Sequence, residues 1–343
     1  MATFERAPRL QDVAEAAGVS LATASRALAG RDGVSPELAE RIRQLAMTLG
    51  YVPNAHARAL AGAAPPLVGL IVHDVADPYF AEVAKGVLQV ADERQLMVLI
   101  NQSERQPETE LAHIRSLRAH RVGSIVLAGS GYVNTAEEAA AAAELLAFRD
   151  AGGRVALIGR HGIPVDAVLP DNEAGGSTAA RHLFDLGHRR IAVVAGPANL
   201  STVADRLGGV MDEVRAHGLD PGGLVVEHDA FSRDGGVAAT RRVVAQHPET
   251  TAVLALTDVM AMGALAVLRE SGRDVPTNIS VMGFDDVTVA ADLAPALTTI
   301  RLPMVEMGAI ALDLTLRPPA ARPRRRRTGH ELVVRDSTAP PRP

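Results

Sequence analysis

The sequence predicts an α/β protein: a small N-terminal helix-turn-helix headpiece, then a two-lobed core of doubly wound parallel sheets. Three observations predict it. Residues 1–50 carry three helical patterns and no strand. From residue 67, unbroken apolar runs alternate with amphipathic stretches, the pattern of parallel strands covered on both faces by helices. That alternation continues for about 270 residues, more than one sheet usually holds, so it divides into two lobes.

In the first helix Leu10, Val13, Ala14 and Ala17 share a face, and Gly18 stops it. Ser20 caps the second, whose inner face would carry Leu21, Ala24 and Leu28. The third opens at "SPEL", with Ser35 as cap and Pro36 at the first helical position, and ends at Gly50. Helix, tight turn, helix and a supporting helix is the plan of a DNA-binding headpiece, with a plain three-helix bundle as the alternative. Next, "YVPNAHARALAGAAPP" (51–66) reads as a linker. Its "NAHARALA" is too short to hold a helix alone and would coil only when something else orders it.

Strands are expected at 67–72, 96–100, 123–129, 154–159, 190–196, 251–256 and 279–284. Helices are expected at 79–94, 107–120, 135–151, 174–187, 202–217, 234–247 and 258–271. Ligands of such sheets bind beyond the strands' carboxyl ends. There lie His73, Asp74, Asn101, Ser103, Arg160, Asp258, Asp285 and Asp286. Any one of them could be a cap or a loop residue; their convergence points to a cleft.

Composition narrows the function. Hydrophobic residues make up 47% and aromatics 3%, so the core is aliphatic. A net charge of −5 excludes a chain that coats nucleic acid indiscriminately, though a local patch can still bind it. Without cysteine there is no disulfide, thiolate metal site or cysteine nucleophile. No apolar signal core opens the chain and no apolar run approaches 18 residues, so a cytoplasmic protein without membrane contact is expected. Against an enzyme stand the missing Walker A and G-x-S-x-G sequences, and the wrong spacing of "GSGYV" (129–133) for a dinucleotide loop. No cofactor and no metal are expected.

"DVAEAAGVSLATASRAL" (12–28) with "GYVPNAHARALAG" resembles the signature of the LacI/GalR family of bacterial transcription regulators. The likeness runs on through "VGLIVHDVADPYFAEVAKGV", "RLGG", "TDVMAMGAL", "ISVMGFDD" and "LTTIRLP", over about residues 9–338. It implies a headpiece (1–52), a hinge helix and linker (53–66), and a core like the periplasmic sugar-binding proteins (67–343). The lobes of that core would exchange chain near 160–166, 287–294 and 316–328. It further implies a homodimer on a palindromic operator in double-stranded DNA, repression as the default, and control by a small sugar-like effector. A sugar transport receptor shares the core but has no use for residues 10–60.

Carried over residue by residue, the resemblance gives Leu21 and Ala22 the choice among operators and Arg26 the reading of a guanine. Arg26 can bond a guanine bidentately, whereas Leu21 and Ala22 offer only apolar contact. Thr23 and Ser25 hydroxyls suit phosphate oxygens, which set register without reading sequence. Ala29 stands where the family often has Asn. In the hinge, Asn54 would cap, Ala57 allow close approach, and Leu60 wedge into the minor groove. The headpiece is only mildly basic: over residues 1–62, Arg6, Arg9, Arg26, Arg31, Arg41, Arg43 and Arg58 face Glu5, Asp12, Glu15, Asp32, Glu37 and Glu40.

For the effector, Arg206 in "RLGG" is the leading candidate, its planar fork suited to two hydroxyls or a carboxylate. Asp258 and Asp285 would accept from hydroxyls, Phe231 would stack on a sugar face, and Phe80 would line the opposite lobe. Arg160 and Asn172 are further candidates. Thr257 replaces an Asn that the family commonly has. The run "RPPAARPRRRR" (317–327) is expected as a solvated loop, with a phosphate contact as the sharper alternative. No leucine heptads follow it, which favours a dimer over a tail-linked tetramer.

Overall fold

The computed structural model describes residues 8–30, 32–51, 67–134, 136 and 138–342. The hinge candidates Asn54, Ala57 and Leu60 lie outside the described residues. The chain forms two compact units, 1–66 and 67–343.

The first unit holds α1 (Leu10–Ala17), α2 (Leu21–Leu28) and α3 (Pro36–Thr48). They close on Val13 and Ile42 together with Ala17, Ala27, Ala39 and Ala46, whose short side chains let three short helices meet. Gly18 turns the chain at φ +67°, left-handed backbone that glycine adopts without steric cost. Ser20 and Ser35 each accept the backbone N–H three residues on, capping α2 and α3 as their positions predict. One expectation is corrected. Ala24 and Ala27 are the buried residues of α2, whereas Leu21 is 53% exposed. A residue at the first helical position, one turn from the packed face, has nothing beside it to cover it.

In the second unit the first lobe is built on a six-stranded parallel sheet. Its strands are β1 (Leu67–Val72), β2 (Met97–Gln102), β3 (Ser124–Ala128), β4 (Arg154–Ile158), β5 (Asp166–Leu169) and β11 (Arg325–Arg327), in the order β11-β5-β4-β3-β1-β2. Alternation explains the unbroken apolar runs. Val68, Leu70, Val126 and Ala156 join the core shared with α4 (Pro78–Glu93) and α11 (Met304–Leu316). Ile71, Ile125, Leu127 and Leu157 join that of α5 (Pro107–Ala119) and α6 (Ala139–Asp150). The inner strands β1, β3 and β4 are covered on both faces, whereas the edge strands β2 and β11 are not.

The second lobe carries β6 (Ile191–Ala195), β7 (Val225–His228), β8 (Ala252–Ala255) and β9 (Ser280–Met282), ordered β7-β6-β8-β9. β10 (Thr299–Arg301) pairs antiparallel with β12 (Glu331–Val333) and touches the end of β9 through the Met282–Thr298 bridge. α7 (Asn172–Asp185) packs on α8 (Ser201–Ala216), and α9 (Arg233–Gln246) on α10 (Asp258–Glu270).

At the first two exchanges the chain changes lobes later than expected. It stays in the first sheet through β5, because Ile163 and Val165 are buried in that lobe's core and hold the turn after β4 there. It stays in the second lobe past 287–294 until β10 has paired, and enters the first with α11. The arginine run is also not wholly a loop: Arg325–Arg327 pair with Ala167–Leu169 as an edge strand, and the last exchange follows it. Edge strands tolerate charged side chains, which discourage further strand pairing.

Candidate functional site

The carboxyl ends of the two sheets face one another across a cleft. His73, Asp77, Tyr79, Phe80, Arg105 and Ser130 line it from the first lobe; Thr202, Arg206, Phe231, Thr257 and Asp285 line it from the second.

Arg206 is the centre of the second wall. It is 2% exposed, on α8, and its position depends on a glycine contact. A Cβ on Gly209 would stand 1.8 Å from the Glu173 carbonyl oxygen, so only glycine there lets α8 lie this close to α7. That approach delivers Asn172, the first residue of α7. Arg206 Nε donates to Asn172 Oδ1 (2.9 Å), Nη2 to Asp285 Oδ1 (2.7 Å), and Nη1 to the Leu256 carbonyl. Its guanidinium also stacks 3.8 Å from the centre of the Phe284 ring. A guanidinium has five N–H groups; the protein fixes the plane with three of them, leaving two for a ligand.

Asp285 is carried in by backbone at φ +113°, in the turn after β9. Burial pushes its carboxyl up to about 7, against the pull of Arg206. Asp258 was expected beside it as an acceptor, but its geometry gives it another job. It is 0% exposed and does not line the cleft. Its Oδ1 accepts from Thr299 Oγ1 (2.6 Å) and its Oδ2 from the Val287 N–H (2.8 Å). It fastens α10 to the loops beside β9 and β10, and burial holds its carboxyl well above the ordinary range.

Two other candidates are moved as well. Arg160 is 54% exposed and clamps Asp205 with Nε and Nη2 (3.0 and 2.6 Å), lining an outer groove instead of the cleft. A strand-end arginine with a carboxylate in reach on the facing helix turns to it. Asn172 lines the same outer groove and acts on the cleft only through Arg206. Phe80 and Phe231 do line the cleft, from opposite lobes. Thr257 lines it too, although its hydroxyl oxygen already caps α10 by accepting the Met260 N–H.

The first wall holds His73, which the strand-end pattern picked out, and Asp77 and Arg105, which it passed over. His73 Nε2 accepts the Ser130 N–H (3.0 Å), so its Nδ1–H donates to Ser103 Oγ (3.0 Å). Burial and the Arg105 charge lower its pKa to about 3, so the ring is neutral. Arg105 lies two residues beyond Ser103, in the polar stretch "SERQ" that ends at α5. That stretch was the available signal. Asp77 caps α4 by accepting the Tyr79 N–H and stands 3.6 Å from Arg105.

In the headpiece, Leu21, Ala22, Ser25 and Arg26 are exposed together on one face of α2. Thr23 is half-buried, and its hydroxyl is engaged with the Ser20 cap (2.8 Å). Residues 9–54 match the model for bacterial regulatory proteins of the lacI family, and residues 180–338 that for a periplasmic binding protein-like domain. The chain is 34% identical over 313 residues to the HTH-type transcriptional regulator GalS of Salmonella typhimurium (strain LT2), covering 91% of this chain and 90% of that one. It superposes on a transcriptional regulator CelR–cellobiose complex with a TM-score of 0.70 at 31% identity, covering 96% and 99%. It superposes on a lac repressor dimer bound to operator and the anti-inducer ONPF with a TM-score of 0.83 at 25% identity, covering 97% and 100%. A reading helix with an exposed face and a ligand cleft in one chain, matched over nine-tenths of its length, have one explanation: the chain belongs to the lacI family of bacterial regulatory proteins.

Proposed function

We propose that this protein is a sequence-specific transcriptional repressor that binds a palindromic operator as a homodimer and is released or engaged by a sugar-like effector in the interlobe cleft. The observation that carries the effector half is Arg206, whose plane is fixed from three sides while two N–H groups remain for a ligand. Prepositioned donors of this kind bind hydroxyls with little ordering cost. The solved CelR complex holds cellobiose and the lac repressor holds operator and anti-inducer, which supports both halves. For the dimer, β2 leaves an open sheet edge, and Leu88, Met97 and Ile100 are exposed on it and on the adjoining α4. Paired faces of this sort would set two headpieces side by side.

Operator choice rests on Arg26, with Leu21 and Ala22 making apolar contacts. Ser25 touches phosphate; Thr23, tied to its cap, contributes through the geometry of the helix start. The hinge residues Asn54, Ala57 and Leu60 complete the reading in the minor groove. The test is fluorescence anisotropy of the dimer on a library of palindromes with a central CG step, at stated salt. A selected palindrome should bind in preference to random duplex, and Arg26→Ala should reduce that preference about 10- to 100-fold, the worth of one bidentate base contact. Absence of any preferred palindrome would sink the reading.

A further inference from the structure

Arg105 has no part in the roles above, yet it projects into the cleft. Glu104 and Arg105 both hold left-handed backbone, φ +54° and +58°, a strained arrangement for two consecutive residues that are not glycine. The guanidinium then lies between rings of opposite lobes, 5.9 Å from the centre of Phe80 and 5.6 Å from that of Phe231. Its nearest carboxylate, Asp77, is 3.6 Å from Nη2, too far for a charge-assisted hydrogen bond. Nε is buried and has no acceptor.

We propose that Arg105 receives an anionic substituent of the effector, so that the cleft takes a sugar bearing a carboxylate or a phosphate ester in preference to a neutral sugar. This rests on the cleft being the effector site. A guanidinium can grip a carboxylate or phosphate with two parallel bonds, and this one has only a loose pairing with Asp77 and no acceptor at Nε. The second wall differs, because Asn172, Asp285 and Leu256 already occupy Arg206. The charge balance agrees. Burial opposes ionisation of Asp77 and Asp285, and His73 is neutral. A ligand with an anion on Arg105 and hydroxyls on the spare Arg206 N–H groups would hold both lobes at once.

The test is calorimetric titration of the full-length protein with glucose, galactose and cellobiose against glucuronate, galacturonate, gluconate and glucose 6-phosphate. At least one anionic sugar should bind about tenfold or more tighter than its neutral parent, as a charged, bidentate contact requires. The uronates and the phosphate separate the two sources of charge. Arg105→Gln should erase the preference, and Arg105→Lys should keep part of it. Matching melting curves check that the variants fold. A neutral sugar bound as tightly as its acid, a preference that survives in Arg105→Gln, or no binding by any anion overturns the proposal. If neutral sugars bind and alter operator affinity, only the role of Arg105 falls; if nothing in the panel does either, the effector reading falls with it.

Discussion

The two walls of the cleft are built on opposite principles. On the second, Arg206 is buried and pinned by three acceptors, and Asp258, Thr299 and the Val287 N–H lock the loops behind it. On the first, Arg105 is 18% exposed, weakly paired with Asp77 and short of an acceptor at Nε. A fully satisfied network gains stability and rigidity, whereas a half-satisfied one is costly until a partner arrives. The contrast shows where ligand binding can do work. A ligand meets a fixed template on one side, and on the other a group whose bonding it completes, so closing the cleft onto the first wall is where a gain differs between states. Only such a differential gain can shift a conformational equilibrium.

The largest expected break comes from the second wall. Arg206→Met should destabilise the protein by about 3–5 kcal/mol, because Asn172, Asp285 and the Leu256 carbonyl would stay buried without their donor; urea unfolding measures it. Ligand response should vanish while the headpiece still binds operator. Gly209→Ala follows, at about 1–3 kcal/mol, since the added methyl must push α7 and α8 apart and with them Asn172 from Arg206. If Gly209→Ala keeps full ligand affinity, the second wall is softer than its bonding indicates.

pH sharpens the comparison, because the walls titrate in opposite directions. Asp285 has a folded pKa of about 7, above its ordinary 3.8, so the folded state holds a proton that the unfolded chain releases. Its stabilising contribution is present at low pH and is lost as pH rises from about 4 to 7. His73 has a folded pKa of about 3, below its ordinary 6.5. Its contribution is present above 6.5 and is lost as pH falls toward 3. Melting temperatures between pH 4 and 8 should therefore change slope with opposite sign in Asp285→Asn and His73→Asn; slopes of the same sign would refute the assignment. The smallest effects belong to the first wall. Arg105→Gln should change stability by less than about 1 kcal/mol, since it removes one poorly formed pair. Denaturant midpoints that shift by more would show Arg105 to be a structural clamp.

Much of this architecture was legible because its signals are local. Serine caps at 20 and 35, the stop at Gly18 and the alternation of apolar runs with amphipathic stretches all placed their elements within a few residues. Short strands were less visible: β5, β7 and the arginine strand β11 have three or four residues each and lie at or near sheet edges, where half-covered residues carry no apolar run. Asp258 and Arg160 were misplaced for a different reason. Each sits at a strand or helix end as a ligand group would, and what decides its use is a partner 41 or 45 residues away.

By itself the sequence determined the classes of element, their order and the strand ends that form a cleft, since periodicity and end signals act over a few residues. Only the tertiary structure decided which of those groups face the cleft. Arg206 meets partners 34, 50 and 79 residues distant, and Arg105 finds its slot between rings of two lobes. Hydrogen bonds depend on ångström-scale approach of remote segments, here allowed by the bare backbone of Gly209, and local pattern carries no information at that range.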